Sequence, residues 1–115
     1  MAAIVALDHL IERLATDMAL TDAQLAGALG ATPRSLERWR KGGTYPQHES
    51  RRRLDAVVTL RDRLYETFDD AADVASWLHT NSNYLGGIKP IEAFQVGRVD
   101  SVAAALEALD SGIFL

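Results

Sequence analysis

Apolar positions along this 115-residue chain recur at helical rather than strand spacing. Ile4, Leu7, Ile11, Leu14 and Met18 sit three or four apart, while Asp8, Glu12, Arg13 and Asp17 fall largely off that stripe, which predicts an N-terminal helix. Thr21 stands where an N-cap is wanted and Gln24 where a capping box needs a glutamine, so a short helix is expected over 22–29, stopped by Gly30. Thr32-Pro33 then reads as an N-cap followed by proline at the first helical position. The helix it opens, 33–41, turns Leu36 and Trp39 inward and Arg34, Arg38 and Lys41 outward, and Gly42-Gly43 ends it.

After a loop containing Pro46, helical spacing returns through Leu54, Val57, Leu60, Leu64 and Phe68, predicting a long helix from about residue 50 to 68. Asp69 or Asp70 can cap a further helix reaching His79, with Val74, Trp77 and Leu78 as its apolar surface. Residues 80–89 read as a loop. Pro90 opens a short helix closing at Gly97, and a last helix over 99–110 ends before Gly112. No segment alternates convincingly with a period of two, and there is no repeat. The expectation is an all-α fold of about seven helices. An N-terminal helix-turn-helix region would span 1–68 and a small C-terminal helical region 69–115.

The helix-turn-helix reading rests on 21–42, TDAQLAGALGATPRSLERWRKG. Ala26 is small where a second helix must cross, Gly30 occupies the turn, and Leu36 and Trp39 are correctly phased anchors. An ordinary helical hairpin with a basic surface shares parts of this pattern. If the motif binds DNA, Thr32, Arg34, Ser35 and Arg38 face the major groove, where arginine pairs with guanine edges and hydroxyls bond bases or phosphates. Arg40, Lys41 and Arg51–Arg53 are better placed for phosphates. A domain this small is expected to bind operator DNA as a homodimer.

Charge sharpens that picture. The chain carries a net charge of −4, yet nine Lys/Arg and only four acids lie between Arg34 and Arg63, a local +5, leaving −9 on the rest. One basic block in an acidic chain points to a local anion-binding surface. Arg51–Arg53 in the first turn of the long helix oppose its dipole, a placement better tolerated with an anion nearby. With no cysteine, disulfides, thiolate metal sites and a cysteine nucleophile are excluded. His9, His48 and His79 share no ligand spacing, so no metal site is expected. Nor does any nucleophile–base pair or phosphate loop emerge. The expectation is a non-enzymatic protein without cofactors. It is expected to be cytoplasmic and not membrane-bound, since no secretory leader or long apolar run is seen.

The C-terminal stretch 75–115 reads ASWLHTNSNYLGGIKPIEAFQVGRVDSVAAALEALDSGIFL. Its Trp77-Leu78, Leu85-Gly86-Gly87, Pro90, Gly97, Val102, Leu106, Leu109 and Gly112 resemble the toxin-binding domain of the Xre/MbcA/ParS antitoxin family. Trp39, Gly42 and Pro46 are similar to that family's Xre-type helix-turn-helix, so the resemblance covers nearly the whole chain. It departs from the family at Asn81-Ser82, where Pro-Asn is common; asparagine can still form a local side-chain turn there.

The resemblance implies an antitoxin of a type II toxin–antitoxin pair. Its partner would be a RES-domain, NAD-depleting toxin encoded by the adjacent gene, and it would autorepress its own operon. Trp77, Leu85, Gly86 and Gly87 would belong to the toxin-binding surface. The tail Gly112, Ile113, Phe114 and Leu115 would close the toxin's active-site cleft, with Phe114 as anchor. Two alternatives stay open. One is a stand-alone dimeric regulator; the other is an interaction module whose helix-turn-helix no longer binds DNA.

Overall fold

The computed structural model describes residues 7–112. Among these, seven helices and no strand are found, so the all-α expectation holds. They are α1 (Leu7–Asp17), α2 (Asp22–Ala28), α3 (Pro33–Lys41), α4 (His48–Thr67), α5 (Ala71–Leu78), α6 (Pro90–Gln95) and α7 (Val99–Ser111). Ile4, the first position of the N-terminal apolar stripe, lies outside the described residues.

The helix boundaries follow their caps. Thr21 Oγ1 accepts the Gln24 N–H at 3.1 Å, while the Thr21 N–H donates back to Gln24 Oε1 at 2.9 Å, the reciprocal box the sequence implied. Thr32 Oγ1 accepts the Ser35 N–H at 3.1 Å, and of the two candidate aspartates Asp70 takes the cap of α5 through the Asp73 N–H at 2.9 Å. The end of α1 is less ordinary. The Leu20 N–H bonds Ala15 O at 2.8 Å and the Ala19 N–H bonds Thr16 O at 3.3 Å, which forces Ala19 to φ 53°. That is a Schellman stop with alanine in the left-handed position glycine normally fills.

The long helix α4 starts at His48, two residues before the apolar spacing indicates. Its first turn is polar and so invisible to a hydrophobic period. Glu49 lies there and pairs with Arg52 at 2.9 Å and Arg53 at 3.1 Å, three and four residues on. The anion that the Arg51–Arg53 run calls for is therefore supplied in part by the helix itself.

One continuous core joins both halves of the chain, from Ile11 and Leu14 on α1 through Leu36 and Leu60 to Phe94 and Leu106. Helices α4 and α7 run side by side in the same direction, tied by Arg63 to Glu107 at 2.7 Å and Thr67 to Asp110 at 2.9 Å. The tightest approach is between α2 and α6. A Cβ built on Gly27 would stand 1.9 Å from the carbonyl oxygen of Gln95, so the two backbones touch with no room for a side chain. Phe94, one residue earlier, is fully buried in the core.

Two substitutions test these readings by urea denaturation. Gly27→Ala forces backbone apart and is expected to cost about 2 kcal/mol or more, within the range of overpacked sites. Ala19→Gly relieves the left-handed alanine and is expected to stabilise by about 0.5–1 kcal/mol. An unchanged midpoint for Gly27→Ala would remove the close α2–α6 contact.

Candidate functional site

Helix α3 sorts the basic segment by phase. Arg34, Arg38 and Lys41 are spaced four and three apart, so they share one face, and all three are exposed. Leu36 and Trp39 point the other way and are buried. Thr32 and Ser35, also expected on the groove-facing surface, stand at the helix start. The hydroxyl of Thr32 donates to Ser35 Oγ at 3.2 Å, so both are engaged in the cap that aims the N-terminal end of α3 outward.

Arg40 behaves differently from its neighbours. Its side chain is only 16% exposed and reaches across to α2, donating to both carboxylate oxygens of Asp22 at 3.0 and 2.9 Å. Nε lies 2.7 Å from Glu12 of α1 without its N–H being aimed there, and Glu37 completes the cluster at 3.7 Å. Where a phosphate contact was one expectation, Arg40 here is a strut between α1, α2 and α3. The hydrogen bonds from its guanidinium pull the Asp22 carboxyl below its ordinary value, against a smaller opposing effect of burial.

Other arginines of the block are committed in the same way. Arg61 pairs with Asp17 at 2.9 Å and Asp62 at 2.8 Å, beside Tyr65, whose hydroxyl donates to Asp17 O at 2.6 Å. Arg63 holds α7, while Arg52 and Arg53 hold Glu49. Arg53 also lies against two turns: its Nε would be 3.3 Å from a Cβ on Gly30 and its Nη1 2.6 Å from one on Gly97. Arg34, Arg38, Lys41 and Arg51 are the block's cations with no ion pair among the described residues, and all are exposed. An anion approaching the protein meets these four.

The C-terminal candidates divide. Trp77 is half-buried, its ring 6.1 Å from that of Phe68 at 38°, and it forms one wall of a surface groove of about 180 Å³. Thr80, Asn81, Ser82, Asn83 and Tyr84 make the rim, and Ala105 and Leu109 of α7 the opposite wall. Leu85 is half-buried against the core instead, and Gly86 and Gly87, at φ 76° and 95°, turn the chain with open space around them. Gly112 ends α7 in the left-handed conformation. Ile113, Phe114 and Leu115 lie outside the described residues.

The loop between α5 and α6 is closed by Ser82 rather than by the Asn81 side chain. The Ser82 N–H donates to Ile88 O at 2.8 Å, Ser82 O accepts from Gly87 at 2.8 Å, and Ser82 Oγ accepts the Leu85 N–H at 3.3 Å. The side chains of Asn81 and Asn83 are left exposed, with no hydrogen bond among the described residues. Two residues escaped sequence reasoning altogether, Gly27 and Phe94. The only trace of Phe94 is its three-residue spacing from Ile91 inside a six-residue helix.

Comparison with known proteins places this geometry. Residues 63–112 match the family model described as the antitoxin Xre/MbcA/ParS C-terminal toxin-binding domain. The mycobacterial cidal antitoxin MbcA of Mycobacterium tuberculosis is 31% identical over 106 residues, 91% of this chain and 88% of that protein. A probable mycobacterial cidal antitoxin from the same organism, Rv3188, is 26% identical over 98 residues, 84% of this chain and 81% of that one. Among solved structures, a chain of the M. tuberculosis MbcT-MbcA toxin–antitoxin complex superposes with a TM-score of 0.68 at 25% identity, covering 95% of this chain and 97% of that chain.

The strut assignment of Arg40 has a pH signature. The Asp22 carboxyl is depressed below 3.8, so the stability it contributes is complete above that value and is lost as pH falls through the lower folded-state value. Arg40→Met is expected to cost about 1 kcal/mol near neutral pH, the scale of exposed ion pairs plus lost stem packing. The gap to the unsubstituted protein should stay flat at neutral pH and narrow below 3.8. A gap independent of pH in urea titrations would remove the ion-pair origin.

Proposed function

Since the chain belongs to the Xre/MbcA/ParS antitoxin family, we propose that it is the antitoxin of a type II toxin–antitoxin pair, neutralising a RES-domain, NAD-depleting toxin encoded next to it. The observation carrying this reading is the match of residues 63–112 to a toxin-binding domain. The toxin-facing region is 69–115, with Trp77, Gly86 and Gly87 on its surface and Leu85 half-buried beneath them. Gly112 releases the chain from α7, and Ile113, Phe114 and Leu115 follow in sequence as an apolar segment suited to a concave cleft. The protein acts by binding and carries out no catalysis. No helix among the described residues is long and apolar enough to cross a membrane, in keeping with a cytoplasmic antitoxin.

The second activity is binding of operator DNA by α2 and α3 as a helix-turn-helix in region 1–68. The support is electrostatic and geometric together. Arg34 and Arg38 lie on the exposed face of a helix whose N-terminal end is free, placed to read base edges in a major groove. Lys41 and Arg51 flank them and suit phosphates, whose neutralisation releases counterions. A homodimer would present two such helices to a two-fold-related site.

Growth and cellular NAD test the first activity. The adjacent open reading frame is expressed alone, with the full chain, and with a chain ending at Ser111. NAD is expected to collapse alone, recover with the full chain and fall again with the truncation. Rescue by both versions would take the plug role from the tail, and a harmless neighbour that does not bind would leave a stand-alone regulator. For the second activity, gel shifts on the protein's own promoter are expected to weaken by about 1–3 kcal/mol per base-contacting arginine in Arg34→Ala and Arg38→Ala. Lys41→Ala should weaken binding evenly across sequences and lower the salt slope by about 1. Unaltered affinity in the double arginine variant would sink the operator assignment.

A further inference from the structure

The region 69–115 holds two cations, Lys89 and Arg98, and α6 sets them at opposite ends of itself. Both are exposed, and neither pairs with a carboxylate among the described residues. Only one of these ends meets the helix-turn-helix. The carbonyl of Gln95, the last residue of α6, is the group pressed against Gly27 on α2. At Gly97 a Cβ would stand 3.6 Å from Gly27 O and 2.6 Å from Arg53 Nη1, and Arg53 Nε would lie 3.3 Å from a Cβ on Gly30. The turn joining α6 to α7 therefore lies close to the turn joining α2 to α3, with the Arg53 guanidinium against both. Ser50 donates to Leu29 O at 2.9 Å, which ties the first turn of α4 to the same place. Arg98 follows Gly97 directly, so the fold brings it beside the Arg51–Arg53 run although the two are far apart in sequence.

The Arg98 side chain has no task in holding this turn. Its N–H donates to Ala93 O at 2.9 Å, and its carbonyl accepts from Ser101 at 3.1 Å and Val102 at 3.3 Å, all backbone bonds. It stands at the N-cap of α7 without a side-chain cap bond. The first turn of α4 and the start of α7 together carry Arg51, Arg52, Arg53 and Arg98 against Glu49 and Asp100. Glu49 is already engaged by Arg52 and Arg53, and Asp100 is exposed and forms no ion pair among the described residues. The seam between the two turns is thus a site of net positive charge, the character that draws a polyanion.

We propose that Arg98 contacts the phosphate backbone of DNA, so that the C-terminal helices take part in holding the duplex that α3 reads. The proposal rests on the operator-binding reading for the place of the duplex. The N-terminal end of α3 follows the Gly30 turn, and a major groove is about 12 Å wide, so the phosphates bordering it lie to the side of the helix inside it. Arg51 and Arg98 stand on the side of that turn. A contact of this kind fixes the position of the protein without reading sequence. Lys89 is the internal control, because it has the same charge and sits at the far end of α6.

Two measurements on the full chain decide it. In the first, affinity for the protein's own promoter and for a duplex of unrelated sequence is followed by fluorescence anisotropy across a range of salt. Arg98→Gln is expected to lower the slope of log affinity against log salt by about 0.9 on both duplexes. Lys89→Gln should leave the slope as it is. Both positions are exposed, so the fold is expected to stay intact, checked by the thermal midpoint. An unchanged slope in Arg98→Gln, or an equal fall in Lys89→Gln, overturns the proposal.

The second locates the contact independently of its strength. The chain has no cysteine, so Arg98→Cys or Lys89→Cys takes a single iron–EDTA label. With the label at position 98, the DNA backbone should be cut at the border of the protected site; at position 89, cutting should be weak or absent. A bound complex that is not cut from position 98, or is cut equally from both, overturns the placement. An Arg98-dependent slope on both duplexes without preference for the promoter would remove the operator reading and keep the phosphate contact. Binding to neither duplex would remove both.

Discussion

The contact between Gly27 and the Gln95 carbonyl is the constraint on which the rest of the arrangement depends. Two helix backbones meet there with less than a side chain's clearance, and such an approach is possible only where one partner lacks a Cβ. It fixes α6 against α2, and α6 carries Phe94, the largest fully buried side chain. With α6 fixed, α7 can lie along α4 and the loop after α5 can return across the end of α7. Arg53, packed over both Gly30 and Gly97, seals the same seam from the solvent side. The basic helix pair and the C-terminal helices therefore share one continuous core.

That packing shapes how charge is used. A basic segment inside an acidic chain has two uses for its cations, holding the fold and meeting a partner, and geometry divides them. Arg40 and Arg61 are largely withdrawn from solvent and bind carboxylates from α1, α2 and α4. Arg63 crosses to α7. What remains without an ion pair among the described residues is Arg34, Arg38 and Lys41 on α3 and Arg51 in the first turn of α4, all exposed. The groove beside Trp77, by contrast, has no charged side chain in its lining.

Much of this could be read from the sequence, because local chemistry settles local structure. The caps at Thr21 and Thr32, the stops at Gly30 and Gly42, and proline at the start of α3 and α6 each fix an end by hydrogen bonding or by an allowed φ, with no help from distant residues. The apolar phase of α3 likewise told which face would carry Arg34, Arg38 and Lys41. The start of α4 was not legible, because its first turn is polar and is supported by Glu49 pairing forward. Asn81 is a residue that can form a local side-chain turn, yet Ser82 closes the loop, since its hydroxyl and backbone both reach partners across the turn.

The sequence by itself therefore determined the helices, most of their ends, the exposed basic face and the family. Each of these is encoded within a few residues or in a spaced motif. Only the tertiary structure decided which arginines are free, where Gly27 and Phe94 act, and that Trp77 shares a groove with Ala105 and Leu109. Those outcomes depend on residues some 20 to 70 positions apart meeting in space, and a period of 3.6 carries no information about which helix faces which. An arginine reads the same in sequence whether a carboxylate waits 18 positions away, as Asp22 does for Arg40, or none does.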